Sequence, residues 1–275
     1  MRELIFGTAG IPISTTERET LNGIARVHEL GLGAMELEFV HSVNISDKKA
    51  PEVKAAAHKE NVILTCHGQY YINLNAKEHE KFEASKKRVI NAATRTFECG
   101  GWSTTFHPGF YLGQPKDEVY KKVKSALEEI TQKLKDNGIK MWIRPETTGK
   151  PTQCGSLEEI LNWSSEIEGI LPCVDYAHMH SREGKYNTYE EFAKLLEMIE
   201  GKLGREALDN MHIQIAGVKY SEKGELSHLP LKESDLNYKD IVKSWKDFKV
   251  KGVVISESPN IEQDAMLLQR LYKEL

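Results

Sequence analysis

The chain has 275 residues, of which 40% are hydrophobic and 28% are charged. This length and composition allow one large buried core, so we expect a single domain over residues 1–275. The net charge of −4, from 37 basic and 41 acidic residues, excludes a strong overall attraction to polyanions, so any contact with nucleic acid must depend on a local surface.

Eight short apolar runs alternate with longer helical patterns along the chain. They lie at residues 3–7, 34–40, 62–67, 103–107, 140–146, 171–175, 212–217 and 252–257. Such alternation predicts repeated strand–helix units, and strands that are almost continuously apolar predict a parallel sheet covered on both faces. Eight units, in a chain near the roughly 250 residues typical of the fold, predict an α/β protein with a (β/α)8 TIM barrel. An open doubly wound sheet would show the same local patterns.

The clearest helical pattern lies between the fourth and fifth runs. Apolar residues recur there at spacings of three and four, namely at Val119, Val123, Ala126, Leu127, Ile130 and Leu134. The pattern ends at Gly138 after a lysine-rich turn, and both features are typical of a helix that packs one face on a core.

Six consecutive strands end in, or lie next to, side chains that commonly bind metals. In chain order these are His67, His107, Glu146, Asp175 with His178, His212 and Glu257. Active sites of such barrels lie at the carboxyl ends of the strands, so we expect these side chains to meet in one mouth. Each of them alone could simply satisfy loop backbone. As a set they would repel one another or stay unsatisfied without a cation, which favours a metal site.

The chemistry of these side chains constrains the metal. Imidazoles and carboxylates without a thiolate favour zinc, and manganese or iron(II) stay open. Because the candidates outnumber the ligands of one tetrahedral ion, we expect more than one ion and a bridging carboxylate. Glu146, central in the series, is the candidate bridge, and Glu257 is the candidate for orienting a nucleophilic water. Ions about 3.5–4 Å apart suit the hydrolysis of a phosphate ester.

The four cysteines contain no C-x-x-C pair, and the sequence shows no signal peptide or long apolar span. Unpaired thiols are typical of a reducing compartment. We therefore expect a reduced, cytoplasmic protein.

Seven motifs occur along the chain, and their order as a set is more specific than any one of them. They are C-H-G-Q-Y-Y-I-N-L-N at 66–75, F-H-P-G at 106–109, R-P-E-T-T-G at 144–149, C-V-D-Y-A-H at 173–178, M-H-I-Q at 211–214, G-E-L-S-H at 224–228 and I-S-E-S-P at 255–259. In this order they resemble the endonuclease IV family of apurinic/apyrimidinic endonucleases, which are xylose-isomerase-like barrels. The loops at 40–46 and 150–155 match less closely, which indicates a divergent, archaeal-type branch.

The resemblance implies an activity and a ligand set. In that family a trinuclear zinc centre hydrolyses the phosphodiester on the 5′ side of an abasic site in double-stranded DNA. The implied ligands are His67, His107 and Glu146 for the first zinc, and Glu146, Asp175, His212 and Glu257 for the second.

The resemblance also implies a third zinc, but one of the residues that bind it in the family is replaced in this chain. His178 and His228 would hold it, together with an aspartate that the family has two residues before the last histidine. Leu226 stands at that position, and Glu225 is the candidate substitute. Occupancy of the third site, and the trinuclear state with it, therefore stays open.

The segment after His67 resembles the loop with which the family enters DNA. Tyr70 and Tyr71 would stack into the gap left by a flipped sugar. The alternative is that both tyrosines pack on a neighbouring loop.

The leading hypothesis is a zinc-dependent abasic-site endonuclease that acts as a monomer on double-stranded DNA. A second hypothesis is a sugar isomerase or epimerase of the same barrel superfamily, which would need fewer histidines. A third is a damaged-DNA-binding protein in which the altered third site has removed catalysis.

Overall fold

The computed structural model describes residues 1–275. Its strands are β1 Leu4–Ala9, β2 Ala34–Glu38, β3 Ile63–His67, β4 Ser103–Phe106, β5 Gly109–Phe110, β6 Trp142–Pro145, β7 Gln153–Cys154, β8 Cys173–Asp175, β9 Met211–Ile215, β10 Gly217–Ser221, β11 Gly224–Leu229 and β12 Gly252–Ser256. Its helices are α1 Thr20–Glu29, α2 Ala50–Lys59, α3 His79–Glu98, α4 Lys116–Asp136, α5 Leu157–Glu166, α6 Tyr176–Glu183, α7 Tyr189–Leu203, α8 Arg205–Leu208, α9 Tyr238–Asp247 and α10 Glu262–Glu274, with a 3₁₀ turn at Leu231–Glu233.

Eight of the strands form one parallel sheet. Their order is β6-β4-β3-β2-β1-β12-β9-β8. Parallel bridges from Ile143 to Ile170 and from Glu146 to Cys173 join the two outer strands, so the sheet closes on itself. All eight predicted strands are present, the prediction of a (β/α)8 barrel is confirmed, and the open-sheet alternative is wrong.

The helices cover the barrel because each has one apolar face. In α4, all six residues of the predicted apolar stripe are buried. Gly138 follows the helix with a positive φ of 73°, a conformation that glycine adopts without a steric cost. No helix of the chain is long and apolar enough to span a bilayer.

The barrel interior changes in polarity from its floor to its mouth. At the amino ends of the strands, the buried Arg144 donates to the carbonyls of Pro172 and Asn210. Its guanidinium lies 4.7 Å from the ring centroid of Trp102 and 5.8 Å from that of Trp142. These three side chains close the floor, so the interior opens only at the carboxyl ends of the strands.

Two elements outside the basic barrel build up the mouth. Helix α6 begins directly after β8, and the antiparallel hairpin of β10 and β11 follows β9 and packs against α6. The sequence did not predict this hairpin, because its strands are short, polar and exposed on one face.

Candidate metal centre

Glu146 lies at the centre of the mouth, fully buried among three histidines. One carboxylate oxygen, Oε2, is 3.2 Å from His67 Nε2. The other, Oε1, is 2.9 Å from His107 Nε2 and 3.0 Å from His178 Nδ1. Burial raises the pKa of Glu146, but the imidazoles, His107 foremost, hold it well below its usual value. Glu146 is therefore an anion that several cationic partners can share.

His67, His107 and Glu146 form the first donor group. One ligand atom from each lies within 4.8 Å of the others. His67 Nδ1 is 2.7 Å from the Gly68 carbonyl, which accepts its proton and leaves Nε2 directed at Glu146. A second nitrogen fixed on a backbone carbonyl is the usual arrangement of a metal-binding histidine. The structure thus brings together the three residues expected to hold the first ion.

Asp175, His178 and His228 form the second donor group, again within 4.8 Å of one another. Asp175 ends β8 and caps α6, since its Oδ1 accepts from the His178 amide at 2.7 Å. This cap turns the chain back, so that His178 lies over the same mouth three residues later. The other oxygen, Asp175 Oδ2, is buried without a hydrogen-bond partner.

Glu225 joins the second group from the hairpin. Its Oε2 is 3.2 Å from His178 Nε2 and its Oε1 is 3.4 Å from His228 Nε2. Leu226 is 59% exposed and takes no part. Burial raises the pKa of Glu225, but the hydrogen bond from His178 and the charges of His178, His228 and His107 together lower it to about 2. Glu225 therefore lies where the missing aspartate was expected.

Gly149 allows the hairpin to approach this closely. Its carbonyl accepts from the Glu225 amide at 3.0 Å. A Cβ atom at Gly149 would lie 2.8 Å from His178 Cδ2 and 3.0 Å from Glu225 Cβ, so a larger residue would push the two ligands apart.

Glu257 follows β12 and closes the far side of the mouth. Its Oε1 accepts from Gln214 Nε2 at 2.9 Å. Burial raises its pKa well above the usual value, and the like charges of Asp175 and Glu146 add to that effect. The three carboxylates are therefore close enough to repel one another.

His212 lies outside both donor groups, so the structure does not bring it together with the other residues of the implied ligand set. It is the second residue of β9 and pairs in register with Cys173, two residues before Asp175. Its Nδ1 lies 3.0 Å from Ser103 Oγ and its Nε2 lies 2.9 Å from Glu36 Oε2. Because inward positions alternate, His212 lies roughly 6–7 Å deeper than the inward residue that follows it. That residue is Gln214.

Sequence reasoning missed three further residues, Glu36, Glu38 and Gln214. Glu36 is fully buried and accepts from Thr65 and Gln214. Glu38 Oε1 is buried without a partner, and burial together with the charge of Glu36 raises the pKa of Glu38 to about 8. The available signal was the alternation of the two glutamates in an otherwise apolar strand.

Tyr70 and Tyr71 lie at the lip of the mouth and are 59% and 62% exposed. The Tyr70 ring lies 5.8 Å from the His67 ring and 6.0 Å, edge-on, from the His41 ring. The two rings therefore keep most of their surface free beside the first donor group. His180, in contrast, is buried and directed away from the mouth, toward Asp235.

The donors present fit divalent cations. Buried carboxylate oxygens without partners, Asp175 Oδ2 and Glu38 Oε1, are costly unless a cation or a proton compensates them. Imidazole nitrogens and carboxylate oxygens are ligands of zinc and of related transition metals. The first donor group and the second donor group would each hold an ion.

Residues 24–275 match a family described as a xylose isomerase-like TIM barrel. An uncharacterized protein of Methanocaldococcus jannaschii is 44% identical over 99% of this chain and 98% of its own length. A probable endonuclease 4 of a Geobacillus species is 26% identical over 59% of this chain. The chain spans only about half of that relative, 55% of its length.

Two solved structures share the fold. Endonuclease IV from Thermus thermophilus superposes with a TM-score of 0.74, at 18% identity, over 97% of this chain and 98% of that one. A D-tagatose 3-epimerase-like protein gives the same TM-score and identity over 98% of this chain and 96% of that one. The resemblance to endonuclease IV is confirmed at the level of distant relatives, and the two solved structures show that the fold is shared.

Proposed function

Because the chain belongs to the family of xylose isomerase-like TIM barrels, we propose that it is a metal-dependent DNA repair endonuclease. It hydrolyses the phosphodiester on the 5′ side of an abasic site in double-stranded DNA. The observation that carries this proposal is the pair of adjacent donor groups, which meet where Glu146 Oε1 lies 3.0 Å from His178 Nδ1.

Two adjacent donor groups support a centre with two or three ions. Divalent cations held there would polarise a phosphate group and lower the pKa of water, which is the chemistry of phosphodiester hydrolysis. Zinc suits the histidine-rich donors, and manganese or iron(II) are the alternatives. Glu146 would bind between the two groups, since its oxygens already contact histidines of both.

Glu257 would orient the attacking water from the far side of the mouth. Gln214 holds one of its oxygens and leaves the other free. Burial and the like charges of Asp175 and Glu146 raise the pKa of Glu257, so in the metal-free protein it holds a proton more tightly than an exposed glutamate does. We therefore assign Glu146 and Glu257 as the catalytic carboxylates of this proposal.

The exposed tyrosines support a macromolecular substrate. A duplex cannot enter the barrel, so the target nucleotide must leave the stack and reach into the mouth. Tyr70 and Tyr71, exposed at the lip, are placed to stack in the space it leaves. All four cysteines are free and buried, in keeping with our proposal of a cytoplasmic protein.

The test is incision of a duplex that contains one tetrahydrofuran abasic analogue, labelled at its 5′ end. We expect zinc-loaded protein to cut on the 5′ side of the analogue and leave the undamaged duplex intact. Glu146→Gln should reduce the rate by roughly 10²–10³-fold or more, because it removes the charge shared by both donor groups. Glu168→Gln, a matched change at an exposed loop that precedes β8, should have no effect. Incision that survives Glu146→Gln unchanged would refute the proposal.

A sugar isomerase or epimerase is the second candidate. The crowding of Glu146, Asp175 and Glu257 favours it, since paired carboxylates can move a proton on a small polyol. Turnover of ketoses by the metal-loaded protein, without incision and with binding that is insensitive to salt, would support this candidate instead. Tight binding of abasic DNA without turnover would support a damage-binding protein.

A further inference from the structure

The second donor group is divided between two parts of the chain. Asp175 and His178 come from the end of β8 and the start of α6, whereas Glu225 and His228 come from β11 of the hairpin. Glu225 links the two parts, since its carboxylate lies 3.2 Å from His178 Nε2 and 3.4 Å from His228 Nε2. An ion bound here would therefore join the hairpin to the barrel.

Two buried atoms without hydrogen-bond partners lie on opposite sides of this junction. One is Asp175 Oδ2, on the barrel, and the other is His228 Nε2, on the hairpin. The other nitrogen of the His228 ring, Nδ1, lies 3.2 Å from the Glu257 carbonyl, which accepts its proton and leaves a lone pair on Nε2. A buried carboxylate oxygen and a buried imidazole lone pair are costly to leave unpaired, and one cation can satisfy both.

The hairpin itself has little apolar packing. Between Val218 and His228 only Gly224 is buried, and the one aliphatic side chain larger than a methylene in that stretch, Leu226, is 59% exposed. A two-stranded hairpin is at most marginally stable in water by itself. This hairpin therefore depends on its attachments to the rest of the chain, and we expect it to open at a lower free energy than the barrel.

The attachments that hold the hairpin near its tip are mostly polar. The Glu225 amide donates to the Gly149 carbonyl at 3.0 Å, and Tyr220 donates to Asp235 Oδ2 at 2.8 Å. The Tyr220 ring also lies 4.9 Å, edge-on, from that of His180. Hydrogen bonds at an exposed edge exchange with water, so they hold the hairpin less firmly than coordination of a shared ion would.

The first donor group contains no residue of the hairpin. His67 ends β3, His107 follows β4, and Glu146 follows β6. These three strands are adjacent in the closed sheet, in the order β6-β4-β3, so the barrel alone fixes their ends. An ion bound to the first donor group would therefore leave the hairpin free.

We propose that the hairpin is a metal-dependent wall of the mouth. An ion in the second donor group fixes it against the barrel and loss of that ion releases it, whereas the first donor group keeps its ion in either state. The physical basis is reciprocity: if the closed hairpin supplies ligands that raise the affinity for the ion, the ion stabilises the closed hairpin by the same factor. The inference rests on the proposed function only in that both need a metal centre.

The test is hydrogen–deuterium exchange of the whole protein, read by mass spectrometry on peptides that cover residues 217–229. In the metal-free protein we expect these amides to exchange faster than those of α4, because the hairpin opens locally. Zinc at about 100 times its dissociation constant should then slow their exchange by on the order of 10–100-fold. Elemental analysis of the same samples counts the bound zinc.

Three variants assign the effect to the second donor group. The double variant Glu225→Ala with His228→Ala removes both donors that the hairpin supplies, so zinc should no longer slow its exchange. The matched control is Glu222→Ala with Ser227→Ala, which changes two exposed residues of the same hairpin and should respond like the wild type. His67→Ala removes a donor of the first donor group only, and the hairpin should still respond to zinc.

Three results would overturn the inference. The hairpin of the metal-free wild type could exchange as slowly as α4, its exchange could be unchanged by zinc, or the response could persist in the double variant. The first two come from the wild type and decide the matter even if the double variant does not fold. A hairpin that responds to zinc in a protein that does not cut abasic DNA would refute the proposed function alone, and incision with an unresponsive hairpin would refute this inference alone.

Discussion

At the scale of one residue, Glu225 lies beside the two histidines for which the resemblance expects an aspartate. Sequence reasoning could suggest it, because it directly precedes Leu226, where the resemblance expects an aspartate. The structure agrees with this suggestion, because the hairpin directs Glu225 toward His178 and His228 and leaves Leu226 exposed.

We predict that Glu225→Ala removes one metal ion from the protein. The two histidines would lose their shared carboxylate, while the donors around Glu146 would keep theirs. The measurement is metal content per chain after loading with excess zinc and desalting. Glu222→Ala, on the exposed turn of the same hairpin, is the control and should change nothing. An unchanged metal content in Glu225→Ala would contradict the assignment.

Glu38 gives a prediction about pH. Its pKa rises from 4.5 to about 8 on folding, so the folded metal-free protein binds the proton more tightly than the unfolded chain. Stability from this group is complete below pH 4.5 and is lost as the pH rises to about 8, at up to roughly 1.4 kcal/mol per pH unit. Glu38→Gln should therefore flatten the fall in the free energy of unfolding between pH 5 and pH 8.

The measurement for Glu38 is denaturant unfolding of metal-free protein across that pH range. Glu52→Gln, an exposed change on α2, serves as the control and should follow the wild type. Equal pH profiles for Glu38→Gln and the wild type would show that Glu38 releases its proton normally in the folded state.

The candidate donors could be predicted from residue type and strand position, except that His212 does not lie with the others. His67, His107 and Glu146 were identifiable because each closes or follows a strand. His212 is the first residue of the predicted run 212–217 and the second of β9, so it lies near the start of the strand and away from the mouth. Glu36 and Glu38 were missed because a charge inside an apolar strand has no partner that the sequence can reveal.

At the scale of elements, the hairpin of β10 and β11 carries two candidate ligands, Glu225 and His228, and packs against α6. Tyr220 in β10 donates to Asp235 Oδ2 at 2.8 Å, and its ring lies 4.9 Å from that of His180 in α6. His180 Nε2 lies 3.3 Å from the other oxygen of Asp235. We name Tyr220, Asp235 and His180 the hairpin clamp.

We predict that Tyr220→Phe weakens the ion on His178 and His228 without affecting the one on His67 and His107. Loss of the hydroxyl frees the hairpin from Asp235, so Glu225 and His228 are less well positioned, and we expect a fall in affinity on the order of 10–100-fold. Stepwise metal binding by titration calorimetry measures the effect. Tyr189→Phe is a matched control, because Tyr189 donates to Asp247 over the same 2.8 Å on the outer surface.

The elements themselves divide into those that periodicity predicts and those that it does not. The eight barrel strands and α4 have strong apolar patterns, and burial on the barrel or beneath the helices explains those patterns. The hairpin and the two-residue strands β5 and β7 have no such pattern, because contacts with distant loops stabilise them and their own sequences do not.

At the scale of the whole molecule, the barrel concentrates like charges at one end. Glu146, Asp175 and Glu257 crowd the mouth, so cations should stabilise the fold by binding to the folded state alone. With two ions at about 100 times their dissociation constants, we expect a melting temperature roughly 5 °C or more above that of the metal-free protein. Differential scanning calorimetry, before and after chelation and again after zinc is restored, measures this difference. Equal melting temperatures would indicate that no ion binds.

The floor made by Arg144, Trp102 and Trp142 limits the routes by which ions and water reach the barrel interior. Because the Arg144 guanidinium lies over the Trp102 and Trp142 rings at the floor, ions and water reach the donor groups through the mouth. A duplex bound across the mouth would block this route and slow the exchange of the bound ions with solvent. If the chain binds DNA as proposed, chelators should remove metal quickly from the free protein and slowly from the protein bound to an abasic duplex.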